Sequence, residues 1–284
     1  MRAVRLASAV ATAAVLLGAV TACGNSKGGN DAKGGDTKAG DAKGADPIAA
    51  ALTADPKAAL SAAALVMQKA GNGKVDMISP DDAKGGGTGS ADWKDPAKVS
   101  ADLVGDIGGK KLKIRLVGAD AYFGGDDTAA AALGGKHWVK LPASNETGNG
   151  FRTVGQMLNP VVVLTVAAQS GKLSKVGQES LGGVQTTHFQ AVEETSVLVA
   201  GMSALPADQR QAVQKTLEED GKTLTFDFWL NGKQELVQYQ EYGDSNGAKD
   251  AATVKYSDLG KAAAIAAPAA ADLGSEADLL KLLG

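Results

Sequence analysis

The sequence predicts an α+β domain built on an antiparallel sheet. Three observations carry that expectation. Short runs alternate apolar and polar residues with a period of two, most cleanly at residues 111–116. Tight-turn signals, Gly182-Gly183 and Asn231-Gly232, separate neighbouring runs. Beside these runs stand a capped helix near Asp55 and a segment, residues 154–168, that is apolar nearly all round. Strands with one apolar and one polar face suit an antiparallel sheet that faces a core on one side and water on the other, whereas buried parallel strands are apolar on both.

Taken in order, Asp55-Pro56 is an N-cap followed by proline at the first helical position, Leu60, Ala64 and Met67 recur at helical spacing, and Gly71-Asn72-Gly73 ends the helix. Residues 74–79 form a short β-like run, and residues 80–89, with Gly85-Gly86-Gly87, form a loop. Val99, Ala101 and Leu103 alternate with Ser100 and Asp102. Leu112, Ile114 and Leu116 alternate with Lys111, Lys113 and Arg115, and His137, Val139 and Leu141 with Trp138 and Lys140. Residues 154–168, VGQMLNPVVVLTVAA, break the pattern. Pro160 must start, break or kink a helix here, and a helix with no polar face is buried on most sides. At about 12–15 residues it is too short to span a bilayer, so its place is against the apolar face of the sheet. Residues 173–179 and 184–192 make a hairpin around Gly182-Gly183, and residues 205–217 a polar surface helix. Leu224, Phe226, Phe228 and Leu230 share one face of the next strand, and Asn231-Gly232 is a strong two-residue hairpin signal. Residues 236–242 and 253–259 complete a sheet of about nine or ten strands with two or three helices.

The N-terminus reads as an address. Arg2 and Arg5 precede an uncharged, largely apolar stretch at residues 6–20, which is shorter than the roughly 20 residues a spanning helix needs. The only cysteine follows, in Val20-Thr21-Ala22-Cys23. An aliphatic residue, two small residues and then Cys resemble the bacterial lipobox. The resemblance implies a lipoprotein signal peptide at residues 1–22, cleavage before Cys23, and a covalent diacylglycerol on the Cys23 thiol as the only attached group, with no other cofactor. Two acyl chains anchor stably where one would be marginal. An ordinary secretory signal ending in a chance Cys is the alternative. Loss of Arg2 and Arg5 takes the formal charge from −3 to −5, so the lipid, and no basic patch, holds the protein at the outer face of the cell membrane. Residues 24–46 contain seven Gly, four Lys, four Asp and no large apolar residue. Such a stretch cannot bury surface to offset its backbone entropy and should be a flexible tether, with a reach of roughly 25–30 Å. Residues 47–284 follow as one domain.

Composition and motif content narrow the chemistry. A mildly acidic chain is not a nucleic-acid binder, which needs a positive surface. One Cys excludes an intrachain disulfide and a Cys-based zinc cluster, and two His leave little for any metal site. With aromatics at 4%, the core is expected to be small and aliphatic. No G-x-S-x-G, H-E-x-x-H, P-loop or G-x-G-x-x-G after a strand is present. His188 lies within a strand and His137 beside Trp138, and both read as histidines hydrogen-bonded to a neighbour. Asp81-Asp82 and Asp126-Asp127 read as solvated loop charge, because no D-x-D-x-D-G spacing supports calcium. Asp227 alternates with Phe226 and Phe228, which turns it to the polar side of its strand. No catalytic set emerges, and the chain reads as a non-enzyme. What remains is an excess of apolar surface, which closes either a solid core or a dry cavity.

Five stretches, KLKIRLVGADAYFG, GGKHWVKL, LSKVGQESLGGVQTTHFQAV, LPADQRQAVQKTLEEDGKTLTFDFWLNGKQELVQYQ and TVKYSDLGKAAAIAAP, together resemble in order and spacing the actinobacterial LppX/LprG-type lipoproteins, which are similar in fold to the LolA/LolB lipoprotein carriers. The resemblance covers about residues 55–272. It implies a strongly curved antiparallel half-barrel with helices packed across its open side, and between them an apolar cavity for the acyl chains of lipids or lipoglycans, used in envelope lipid transport. The implied lining is Leu112, Ile114 and Leu116 on one strand, Leu224, Phe226 and Phe228 on another, and Leu158, Val161 and Leu164 from the apolar helix. It implies no catalytic residue and no metal. The expected partners are the membrane, through the lipid anchor, and a lipid or lipoglycan ligand, with no nucleic acid and a monomeric chain. A non-catalytic lipoprotein that acts as scaffold or sensor through protein contacts is the alternative. The Ala-rich insert at residues 128–133 and the Ala-rich tail depart from the pattern.

Overall fold

The computed structural model describes residues 55–79, 86–95, 99–107, 110–118, 120–141, 155, 158–201 and 207–283. Residues 1–22, read as a leader, Cys23, residues 24–46, read as a tether, and Asp81-Asp82 lie outside the described residues.

The first helix, α1 (Pro56–Ala70), forms as its local signals dictate. The Asp55 side chain accepts from the Lys57 N–H at 3.1 Å, Pro56 occupies the first turn, and Gly71 ends the helix in the left-handed region at φ 72°. Its apolar face buries Ala59, Leu60, Ala63, Ala64 and Met67.

Twelve strands among the described residues form one open, curved sheet. They are β1 (Asn72–Ile78), β2 (Gly87–Asp92), β3 (Ser100–Ile107), β4 (Lys110–Val117), β5 (Asp120–Gly124), β6 (Trp138–Leu141), β7 (Lys172–Leu181), β8 (Val184–Glu194), β9 (Thr223–Asn231), β10 (Leu236–Gly243), β11 (Ala252–Ser257) and β12 (Leu273–Gly274). Their spatial order is β12-β6-β5-β4-β3-β2-β1-β11-β10-β9-β8-β7. Every pair is antiparallel except β12 on β6, which is parallel over two residue pairs. The remaining helices are α2 (Asp127–Ala132), α3 (Pro160–Ser170), α4 (Thr195–Gly201), α5 (Ala207–Asp220) and α6 (Leu279–Leu283).

The α+β class stands, with more elements than the sequence advertised. β2, GTGSAD, falls partly in the expected loop because it offers no large apolar residue to alternate. Gly89 there is required by close approach: a Cβ would collide with the Asp102 carbonyl of β3. β12 spans two residues and carries no signal of its own. The Ala-rich insert is a helix, and Asp126 is its cap, accepting from the Ala129 N–H at 2.8 Å, where solvated loop charge was expected. The hairpin at Gly182-Gly183 is the expected tight turn, with φ of 58° and 82°. The one after β9 is not. There Asn231 Oδ1 accepts from the N–H groups of Lys233 and Glu235, and Gln234, not Gly232, takes the left-handed conformation at φ 62°. The loop is therefore longer than two residues, and a register shift follows between Leu236 and Gln238.

Pro160 starts α3 and does not kink it. The side chain of Asn159 caps it, accepting from the Val161 N–H at 3.0 Å and the Val162 N–H at 3.4 Å. Residues 160–164, 167 and 168 are buried, as a helix without a polar face requires. Its one polar side chain in the middle, Thr165, donates to the Val161 carbonyl at 2.7 Å. α3 packs on α1 and touches β8 and α4, and its Val161, Leu164 and Ala167 join the inner residues of the strands in one buried cluster, on the apolar side of the sheet as expected. Burying each Val or Leu here is worth about 1.5–3 kcal/mol before ordering costs.

Candidate functional site

Strand register shows what the concave face carries. One row of partners runs from Phe189 through Phe228, Tyr239 and Val254 to Met77, then Gly87 and Gly105, and ends at Leu112. The next runs from Tyr256 through Val75 and Gly89 to Leu103, Ile114, Phe123 and Val139. Large side chains thus fill both halves of the face, while glycines occupy its middle.

All nine residues expected to line an interior are buried, from 0% exposure for Leu158, Leu164 and Phe228 to 8% for Ile114. Leu112, Ile114 and Leu116 sit on the inner side of β4, and Leu224, Phe226 and Phe228 on that of β9. Five strands separate β4 from β9, so the two sets belong to opposite halves of the sheet. Eight of the nine, all but Leu112, fall in one continuous buried cluster with Val163 and Ala167 of α3 and Leu60 and Met67 of α1.

The expectation of a small, aliphatic core fails on one side. Trp93, Phe123, Phe189, Phe226, Phe228, Tyr239 and Tyr256 are all buried within it. Tyr239 lies 6.3 Å from Phe228 and 6.4 Å from Tyr256 between ring centroids, and Trp93 meets Tyr256 edge-on at 5.8 Å. The strands around β9–β11 therefore give an aromatic wall, and β3–β6 a mostly aliphatic one. Polar ends are handled locally: Trp93 Nε1 donates to the Met67 carbonyl at 2.7 Å, and the Tyr256 hydroxyl to the Leu158 carbonyl at 3.2 Å. Burial pushes the Tyr239 and Tyr256 hydroxyls well above their ordinary range, which keeps both neutral. Trp93 and Tyr256 were missed because each needs its partner from the other end of the chain. The one legible signal was Tyr256, which alternates within residues 253–259.

Carboxylates also lie on this face: Glu193, 3% exposed, pairs in register with Leu224. Glu241 pairs in register with Phe226, and burial, helped by the nearby Asp220, raises its carboxyl to about 8.

On the outer face around β8 and β9 the polar groups satisfy one another. His188 Nε2 lies 2.7 Å from Asp227 Oδ1 and its Nδ1 3.1 Å from Glu179 Oε1, and the ring stacks on Trp229 at 4.4 Å. Gln190 Nε2 donates to Asp227 at 3.1 Å and Trp229 Nε1 to Glu179 at 2.7 Å. Burial alone would raise the Asp227 carboxyl, but hydrogen bonds from His188, Tyr242 and Gln190 outweigh it and hold the group below its usual range. With a carboxylate on each ring nitrogen, His188 has no free nitrogen to serve as a general base. Asp227 does face away from the apolar side, as its alternation indicates, and is only 5% exposed. His137 pairs through Nδ1 with Asp272 at 2.7 Å. Among the described residues no group of His, Cys, Asp and Glu could hold a metal ion, and no helix is long and apolar enough to cross a membrane.

These features define a class of protein: an open, curved α+β half-barrel whose concave face is covered by helices over an apolar interior. No protein-family model matches the chain. It is 29% identical over 188 residues to an uncharacterized 31.2 kDa protein from the rplA-rplJ intergenic region of Streptomyces griseus, covering 63% of this chain and 62% of that one. It is 24% identical over 193 residues to a protein of Streptomyces coelicolor named as a lipoprotein, covering 66% of this chain and 59% of that one. The chain thus spans about three fifths of the length of these curated relatives. Among solved structures it is similar to LprF from Mycobacterium bovis, with 11% identity, a TM-score of 0.48, and coverage of 75% of this chain and 97% of that one. It is likewise similar to the lipoprotein LppX from Mycobacterium tuberculosis, with 14% identity, a TM-score of 0.46, and coverage of 76% and 99%.

Proposed function

We propose that this chain is an extracytoplasmic lipoprotein, anchored through diacylglycerol on Cys23, that binds acyl chains of lipids or lipoglycans between its curved sheet and helices for transport within the envelope. The reading is non-enzymatic. The observation that carries it is α3: a helix buried on nearly every side, seated with α1 over a concave face whose two apolar walls are separated by a glycine-lined middle. Glycine leaves the floor of that middle without side chains of its own, and the reading assigns the space above it to a ligand. The lipoprotein name carried by the Streptomyces coelicolor relative agrees with the anchoring. The second reading, a scaffold or sensor acting through protein contacts, is favoured by the 0–8% exposure of the nine lining residues, as in a filled core. Native mass spectrometry of the protein made in a related host separates the two. Retained lipid supports the carrier, and a bare polypeptide that takes up no acyl probe supports the scaffold.

A further inference from the structure

Beyond β11 the chain crosses the sheet. Asp258 at φ 47° and Gly260 at φ 74° turn it back. The Asn72 carbonyl accepts from the Gly260 N–H at 2.7 Å and the Asn72 side chain from the Ala262 N–H at 2.9 Å. Residues 262–271, AAAIAAPAAA, then offer no side chain larger than Ile265 to bury, and most of them are exposed. They are held by their carbonyls. Arg115, which alternates with the inward Ile114 and Leu116 of β4, donates to Ala266 at 3.2 Å, and Lys136 donates to Ala271. Asp272 then takes both the ring Nδ1 of His137 at 2.7 Å and its main-chain N–H at 3.0 Å. Two residues pair with β6 as β12. A capping box of Ser275 and Asp278 starts the last turns, and α6 places Leu282, 5% exposed, in the same buried cluster as Ile114, Phe123 and Val139. Leu279 packs against that cluster, and α6 meets α2.

The arrangement is an apolar plug on a strap that has little apolar hold of its own. Segments secured by exposed polar contacts open at lower free energy than the sheet they lie on. We propose that residues 261–283 are a detachable latch: the strap lifts from β4–β6, withdraws Leu279 and Leu282 from the interior, and opens a route for an acyl chain at the β6 edge. The route rests on the lipid-binding reading, while the opening does not.

Amide hydrogen exchange on the full chain in mild detergent, with stopped-flow uptake of a fluorescent palmitate analogue, tests both parts. Amides of residues 270–283 are expected to exchange at least ~10³-fold faster than those of β9, because local opening needs only a fraction of the global unfolding free energy. Asp272→Ala removes both His137 contacts and is expected to speed tail exchange and probe uptake together, each by about tenfold, as for the loss of two solvent-screened hydrogen bonds. The pair Val139→Cys with Gly274→Cys, register partners in β6 and β12, is expected to slow both when oxidised and to release both on reduction. A tail that exchanges as slowly as β9 overturns the latch. Faster tail exchange in Asp272→Ala with unchanged uptake overturns the route. A tail that opens as expected while no variant takes up probe supports the latch and overturns the lipid-binding reading instead.

Discussion

Replacing Val161 by Phe asks directly whether the interior is filled. Val161 sits in the first turn of α3 at 7% exposure. Its N–H is held by Asn159 at 3.0 Å and its carbonyl by the Thr165 hydroxyl at 2.7 Å, so the backbone there has little freedom to retreat from a larger side chain. If the space beside it is a ligand site, the ring occupies that space, stability holds or rises, and acyl binding falls. If the space is packed protein, the ring forces neighbours off their rotamers at about 1–3 kcal/mol. For a domain of this size each kcal/mol moves the midpoint by about 2–4 °C, so the melt drops by roughly 2–12 °C. The assay is a thermal melt of wild type and variant beside titration with the fluorescent palmitate analogue. The carrier reading expects an unchanged or higher Tm with weakened probe binding. A lower Tm, together with wild-type protein that never retains lipid or probe, refutes it, and the scaffold reading then takes its place.

Further outcomes are open to measurement. Cys23→Ala is expected to release the protein into the medium or leave uncleaved precursor, and unchanged partitioning into detergent would refute lipidation. Halving residues 24–46, or replacing them with Gly-Ser, is expected to leave Tm unchanged, because no large apolar residue there can join the core. A shift of several degrees would mean that the segment packs on the domain. Glu241 has a folded-state carboxyl raised from 4.5 to about 8. The unfolded chain therefore holds fewer protons between those values, and stability falls as pH rises through that window. Glu241→Gln is expected to remove this slope and to stabilise the protein at pH 8 relative to pH 5 by about 2 kcal/mol, discounted from the full linkage because the side chain is only partly shielded from water. Denaturant melts at the two pH values check it, and parallel curves for wild type and variant would count against the shift.

Signals contained within a few neighbouring residues survived into the structure. Asp55-Pro56 and Gly71 bound α1 because cap and left-handed terminus are satisfied inside one turn. Leu112, Ile114 and Leu116 turned inward because the strand period alone places them on one face. Gly182-Gly183 turned as two glycines can. Other features were legible in kind but not in placement. Residues 154–168 announced burial, and Asn159-Pro160 starts α3 by a local cap, while the packing on α1 came from contacts across the fold. Asn231-Gly232 announced a turn, but the side chain of Asn231 and the demands of the register passed the left-handed residue to Gln234. Tertiary structure alone decided the rest. β2 has almost nothing apolar to display and exists because β1 and β3 supply partners on both sides. β12 is two residues brought to β6 by a tail whose anchors lie 135 positions away in sequence, at His137 and Asp272. His188 and Asp227, 39 positions apart, meet because β8 and β9 are neighbours. Local sequence fixes caps, turns and the side of a strand through short-range sterics and hydrogen bonds. Which strands become neighbours is settled by burying the apolar faces together, and that requires the whole chain.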